Sequence, residues 1–131
     1  MTTKPVFQSI EYGNGGHGVV KNVAIVYGSI SLPAGRASNK TLAASPLATV
    51  HEGLTVAVPE TVTIRWTSVD GQDHEVVVPA RSFIRDAACF HGFQFFFVDD
   101  HVDVYLLNRK NDCAKVLDVE RIKVYSSDAV R

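Results

Sequence analysis

The sequence has no charge excess: 13 Lys and Arg stand against 14 Asp and Glu, a formal net charge of −1. That removes the electrostatic ground for expecting nucleic acid or an anionic membrane surface as a partner. Long hydrophobic runs are also missing. The longest strongly apolar stretches, Val23–Tyr27 and Phe93–Val98, fall well short of the roughly 18 residues that span a bilayer. The opening Met-Thr-Thr-Lys-Pro-Val-Phe carries no apolar signal core and no lipobox cysteine. Two expectations follow: a cytoplasmic protein, or a chain whose export signal has been replaced by Met1. Cysteine is scarce, with only Cys89 and Cys113, and no zinc or thioredoxin spacing is present. One disulfide in an exported protein and two buried thiols in a reduced one both remain open.

What is present suits one domain of ordinary size. A chain of 131 residues buries roughly two-thirds of the surface its unfolded form exposes. The apolar fraction of 46% and charged fraction of 21% exclude disorder and collagen-like structure. No linker-like composition divides residues 1–131, and no repeat period is visible.

The dominant period is two. Val62, Ile64 and Trp66 alternate with Thr61, Thr63, Arg65 and Thr67, which predicts a half-buried strand. Asp70-Gly71 predicts a hairpin turn. Gln72–Val78 alternates again, and Pro79 should end that strand. Ala80–Phe90 lacks alternation; Phe83, Ile84, Ala87 and Ala88 suit a helix of two to three turns, or an irregular connection, ending at His91-Gly92. Phe93–Val98 is apolar on both faces except at Gln94, as in a strand covered on both sides. Asp99-Asp100 is a turn, and His101–Leu107 returns as a strand. Asn108–Asp112 is a polar loop and Val116–Tyr125 a last strand. Upstream, Val6–Tyr12 is a strand, and Val19–Leu32 is a β-prone run that Gly28 interrupts. Pro33–Pro46 is a long small-residue loop, and Leu54–Val58 a short strand. Seven to eight strands with at most one short helix predict an all-β fold. An antiparallel β-sandwich or a partly open barrel fits best.

No cluster of residues carries an enzyme signature. The glycines at 13, 15, 16 and 18 precede β-prone residues rather than a helix, and no Gly-Lys-Ser/Thr occurs, so they predict a hairpin loop and not a phosphate cradle. No Gly-x-Ser-x-Gly elbow is present. Cys89 and His91 are neighbours in sequence, but the expected role of Cys89 is packing. His101 and Asp103 share a strand face, yet two groups do not make a metal centre, so no metal or cofactor is expected. Phe90, Phe93, Phe95, Phe96, Phe97 and Tyr105 read as core rather than as a base-stacking platform, because the charges beside them are acidic. Two further readings stay open. One is a small-ligand or carbohydrate-binding module using Tyr12, Tyr27 and Tyr105 as exposed aromatics. The other is an enzyme using His101 with Asp103 or Asp99, which requires a further carboxylate or imidazole to converge on His101.

The stretch V-P-E-T-V-T-I-R-W-T-S-V-D-G-Q-D-H-E-V-V-V-P, followed by F-x-G-F-x-F-F-F-V-D-D-H-V-D-V-Y-L, resembles a family of small bacterial β-rich proteins. Many of these are periplasmic lipoproteins encoded beside type VI secretion lipase effectors, and several are taken to be their immunity proteins. The likeness runs roughly from Ile25 to Arg109. It implies a protein without catalytic activity that occludes the active site of a cognate effector, with a phospholipase as the expected class. It also implies a periplasmic protein that meets the membrane only through a lipid anchor this chain lacks. Long loops on a rigid sandwich suit such a role. The expected contact segments are Gly13–Gly18, Gly35–Ser45 and Asp99–Asp103. The candidate partner-binding residues are His17, Arg36, Asn39, Asp99, Asp100, His101 and Asp103.

Overall fold

Trp66 and Phe97 meet edge to face across the interior, with ring centroids 5.3 Å apart. They sit on strands of two different sheets, and the arrangement follows from the alternation in the sequence. The computed structural model describes residues 4–32, 45–115 and 118–130. Nine strands are present among the described residues: β1 (Val6–Asn14), β2 (Lys21–Tyr27), β3 (Ile30–Leu32), β4 (Ser45–Val56), β5 (Val62–Thr67), β6 (Asp73–Val78), β7 (Phe90–Val98), β8 (His101–Arg109) and β9 (Val119–Ser126). One sheet runs β4-β1-β7-β8-β9 and the other β3-β2-β5-β6. The fold is a β-sandwich, as the strand pattern predicts. All strand pairs are antiparallel except β1 with β7, which run parallel.

Each sheet turns one face inward. Ile10 and Tyr12 from β1, with Phe93, Phe95 and Phe97 from β7, pack against Ile25, Tyr27, Val62, Ile64 and Trp66 of the facing sheet. One buried polar link joins the two layers: the Tyr27 hydroxyl donates to Gln8 Oε1. Gln8 Nε2 in turn donates to the Val56 carbonyl at 2.9 Å. Burial pushes the Tyr27 phenol far above its ordinary range. Tyr12 and Tyr27 are both buried, which overturns their reading as exposed ligand-binding aromatics. Each is flanked along its strand by inward-facing apolar residues that carry it into the core.

Several local expectations are corrected. Of the two expectations for Ala80–Phe90 the irregular connection is the one present, with one turn of 3₁₀ helix, Ala80–Phe83, in place of a helix of two to three turns. Ile84 is already extended, and the Asp86 carboxylate and carbonyl take the N–H groups of Ala88 and Cys89 at 3.0 and 3.1 Å, closing a turn instead. His91-Gly92 does not break the chain. Phe90 pairs with Asn108 and Gly92 with Leu107, so His91 is the extra residue of a bulge inside β7. Gly92 is required there for space: a Cβ would lie 1.8 Å from the Ser9 carbonyl oxygen of parallel β1. Strand β4 begins at Ser45, inside the segment read as a loop. Its first half lacks the apolar alternation that marks the other strands.

Cys89 and Cys113 form a disulfide, with Cα atoms 4.6 Å apart. Cys89 is therefore neither a packed thiol nor a nucleophile. The bond closes the base of the β7–β8 hairpin, beside the hydrogen bond from Arg109 N to the Cys89 carbonyl at 2.8 Å. No helix among the described residues is long and apolar enough to cross a membrane.

Candidate functional site

Parallel pairing of β1 with β7 brings two distant segments to the same end of the sandwich. The register runs from Ser9 opposite Gly92 to Asn14 opposite Phe97, so residues 15–18 and 99–100 leave the sheet together. Gly15 N donates to the Phe97 carbonyl at 2.9 Å, extending the ladder by one step. The glycine-rich segment is not a hairpin loop: β1 and β2 belong to different sheets, and the segment crosses between them. Asn14 fastens its start. The buried side chain donates from Nδ2 to the Gly18 carbonyl at 2.7 Å and accepts from Gly16 N at 2.9 Å. Gly16 permits the approach to the neighbouring turn, because a Cβ there would lie 2.6 Å from Asp99 N.

Asp99 is the hub of this end. It adopts φ 55° in the turn between β7 and β8, a conformation that Asp tolerates better than most residues. Its carboxylate accepts from His17 N at 2.9 Å and faces His17 Nδ1 at 3.1 Å. Those two His17 contacts, the backbone N–H first, hold the Asp99 carboxyl below its usual range. The His17 ring itself stays 94% exposed. Sequence reasoning named both residues; only the parallel pair shows that they touch.

His101 stands beside this pair at the start of β8. Its Nδ1 lies 3.6 Å from Asp100 Oδ1, and its Nε2 lies 3.6 Å from Asp103 Oδ1. Asp103 is buried, and Lys123 Nζ from β9 approaches its Oδ2 at 3.4 Å. A residue that sequence reasoning missed joins them. The Ser127 hydroxyl accepts from Val102 N at 2.9 Å and docks the 3₁₀ helix Ser127–Val130 onto β8. This brings Asp128 to Asp100 and His101, with one donor atom of each within 4.8 Å of the others. Asp128 lies 25 positions after Asp103 with no motif around it, so no local signal could have found it. Four carboxylates thus surround two imidazoles and one ammonium at this end. Arg36 and Asn39 lie outside the described residues, as does the segment from Gly35 up to Ser45, where β4 begins.

Two other places carry polar chemistry. On the outer face of the five-stranded sheet, Ser9 Oγ and His51 Nε2 are 2.5 Å apart, and Gln94 Nε2 donates to Glu11 Oε1 at 3.0 Å. Among the described residues no carboxylate is hydrogen-bonded to the other nitrogen of His51. A cavity of about 460 Å³ lies beside the Ala80–Phe83 turn, walled by Val58, Ile84, Ala87 and Phe90 and edged by Arg81 and Arg85. Arg81 is committed to the fold: Nη2 donates to the Val58 carbonyl at 2.6 Å, and Nη1 pairs with Glu60 at 3.5 Å. Comparison with protein-family models, with curated proteins and with solved structures finds no match to this chain.

Proposed function

We propose that this protein works by binding another protein through the end of the sandwich built from residues 15–18 and 99–103. In the form implied by the family resemblance, the partner is a secreted type VI effector of the phospholipase class. The chain covers its active-site entrance and acts as an immunity protein with no chemistry of its own. The observation that carries the reading is the union of the two segments: Gly15 is laddered to Phe97 and His17 is bonded to Asp99. Two loops far apart in sequence are thereby tied into one surface, with the His17 side chain exposed on it. Loops already tied to each other lose less freedom on binding, and the surrounding carboxylates steer a basic partner. The proposal places the protein in the periplasm, held in its native form by a lipid anchor. The Cys89–Cys113 disulfide supports an oxidising compartment of this kind.

The test is a titration of the purified protein against the effector encoded beside its gene, read by calorimetry and by the effector's lipase activity. A complex that silences the activity is expected, weakened at least tenfold by His17→Ala or Asp99→Asn (about 1.4 kcal/mol or more). Absence of a complex at micromolar concentration sinks the proposal. The cavity at Val58, Ile84 and Phe90 favours one second reading, a small-ligand module, since its size lies in the usual range for ligand sites. A ligand that raises the melting temperature in wild type but not in an Ala87→Phe variant that fills the cavity would favour that reading.

A further inference from the structure

The cluster of Asp100, His101 and Asp128 supports an inference beyond partner binding. We propose that these three residues bind a divalent transition-metal cation of the Zn²⁺ type, and that Asp103 orients the His101 imidazole toward it. The donor set decides the class. One imidazole and two carboxylates suit a borderline ion, whereas Ca²⁺ and Mg²⁺ favour sites made wholly of oxygen. The spacing is close to what such an ion needs. Ligand atoms around a tetrahedral Zn²⁺ stand on the order of 3.3 Å apart. His101 Nδ1 and Asp100 Oδ1 are 3.6 Å apart, and the donor atoms of all three residues lie within 4.8 Å of one another. Asp128 sits on a four-residue 3₁₀ helix near the chain end, where a shift of about 1 Å costs little packing.

Asp103 supplies the second, independent observation. Its side chain is 8% exposed, and its Oδ1 accepts no hydrogen bond among the described residues. A buried carboxylate oxygen left so is costly. It faces His101 Nε2 at 3.6 Å. When Nδ1 takes a cation, the ring proton must sit on Nε2, and Asp103 Oδ1 is placed to accept it. Lys123 balances the other oxygen at 3.4 Å. A carboxylate behind a histidine behind a metal is the usual way proteins fix the tautomer and orientation of a ligating imidazole. The cation would also fasten the C-terminal 3₁₀ helix to the start of β8.

The experiment titrates ZnCl₂ into the full chain by calorimetry, with CaCl₂ and MgCl₂ in separate runs and thermal melts alongside. One Zn²⁺ per chain is expected, with a melting temperature that rises with zinc concentration and with at least tenfold weaker Ca²⁺ and Mg²⁺. Asp128→Asn, exposed and remote from the core, and His101→Gln should each weaken binding tenfold or more. Asp103→Asn should weaken it roughly 10- to 100-fold. It should also move His101 away from the Nε2–H tautomer in ¹⁵N NMR, a change that lost packing alone would not produce. His51→Ala should bind as wild type does. No zinc binding at millimolar concentration overturns the proposal. So does binding that survives both Asp128→Asn and His101→Gln, which would place the ion on another histidine, and so does Ca²⁺ bound as tightly as Zn²⁺. None of these readouts involves a protein partner, so failure here is distinguishable from failure of the immunity reading.

Discussion

Removing the Cys89–Cys113 disulfide should lower stability through the unfolded chain, with little change in the folded one. In the native state the two residues are held together by other means. Phe90 pairs with Asn108, Arg109 N donates to the Cys89 carbonyl at 2.8 Å, and Arg109 Nη1 donates to the Cys113 carbonyl at 3.1 Å. The bond spans a sequence separation of 24. Chain-entropy accounting for a loop of that length gives a destabilisation of about 3.5 kcal/mol on its removal. Unfolding entropy near 2.1 cal/mol/K per residue, taken over 131 residues, converts this to a fall in melting temperature of roughly 13 °C. The assay is differential scanning calorimetry of wild type against the Cys89→Ser/Cys113→Ser double variant, with guanidinium melts in parallel. The denaturant m-value should rise, because the uncrosslinked unfolded chain exposes more surface. A fall below about 3 °C, or two thiols titratable in the denatured wild-type protein without reductant, would refute the reasoning. The second result would also remove the support the disulfide lends to a periplasmic location.

Two further outcomes follow from single positions. Gly92→Ala should cost about 3 kcal/mol or more, at or above the usual range for overpacking, because the added Cβ meets the Ser9 backbone and not a side chain that could swing aside; a loss under about 1 kcal/mol in a urea melt would mean that β1 and β7 do not pair as described. Burial first, and then the Arg109 charge, hold the His91 imidazole below its ordinary value. Its folded pKa is thus lower than its unfolded one, so stability is full above about pH 6.5 and declines as the pH falls below it. His91→Gln should flatten that decline between pH 7.5 and pH 5 in denaturant midpoints, and parallel curves for the two proteins would contradict it.

The strands were legible where one face is buried and the next residue is not. Val62, Ile64 and Trp66 are buried while Thr63, Arg65 and Thr67 face outward, and such a two-residue period needs no tertiary context to be read. The apolar run Phe93–Val98 correctly marked the central strand β7, flanked by β1 and β8. The first half of β4 was not legible, because it carries no such alternation. Its backbone pairs with β1 from Asn14 opposite Ser45 onward, and that pairing makes it a strand. The helical stripe over Ala80–Phe90 failed for a related reason. Its apolar spacing suits a helix, but an Asx turn at Asp86 and the tether of Cys89 to Cys113 pull the chain out of helical geometry. Local preference lost to long-range constraint in both places.

The candidate site shows the same division one level higher. His17, Asp99, Asp100, His101 and Asp103 stood out as residues, since imidazoles and carboxylates gathered at turns are visible in one dimension. Their partnership was not visible. Antiparallel neighbours joined by short turns disclose themselves by proximity in sequence, as β7 and β8 do. A parallel pair does not, and β1 against β7 is the one parallel pair among the described strands. It decides that the glycine-rich crossing meets the Asp99 turn and not the opposite end of the sandwich. Had β1 run antiparallel to β7, His17 would have emerged near the disulfide, where Asp86 and Cys89 close their own turn. Gly92 is the residue that admits the parallel approach, and Gly16 the one that lets the crossing settle against Asp99. Two glycines without chemistry of their own therefore determine which charged groups meet at this end of the sandwich.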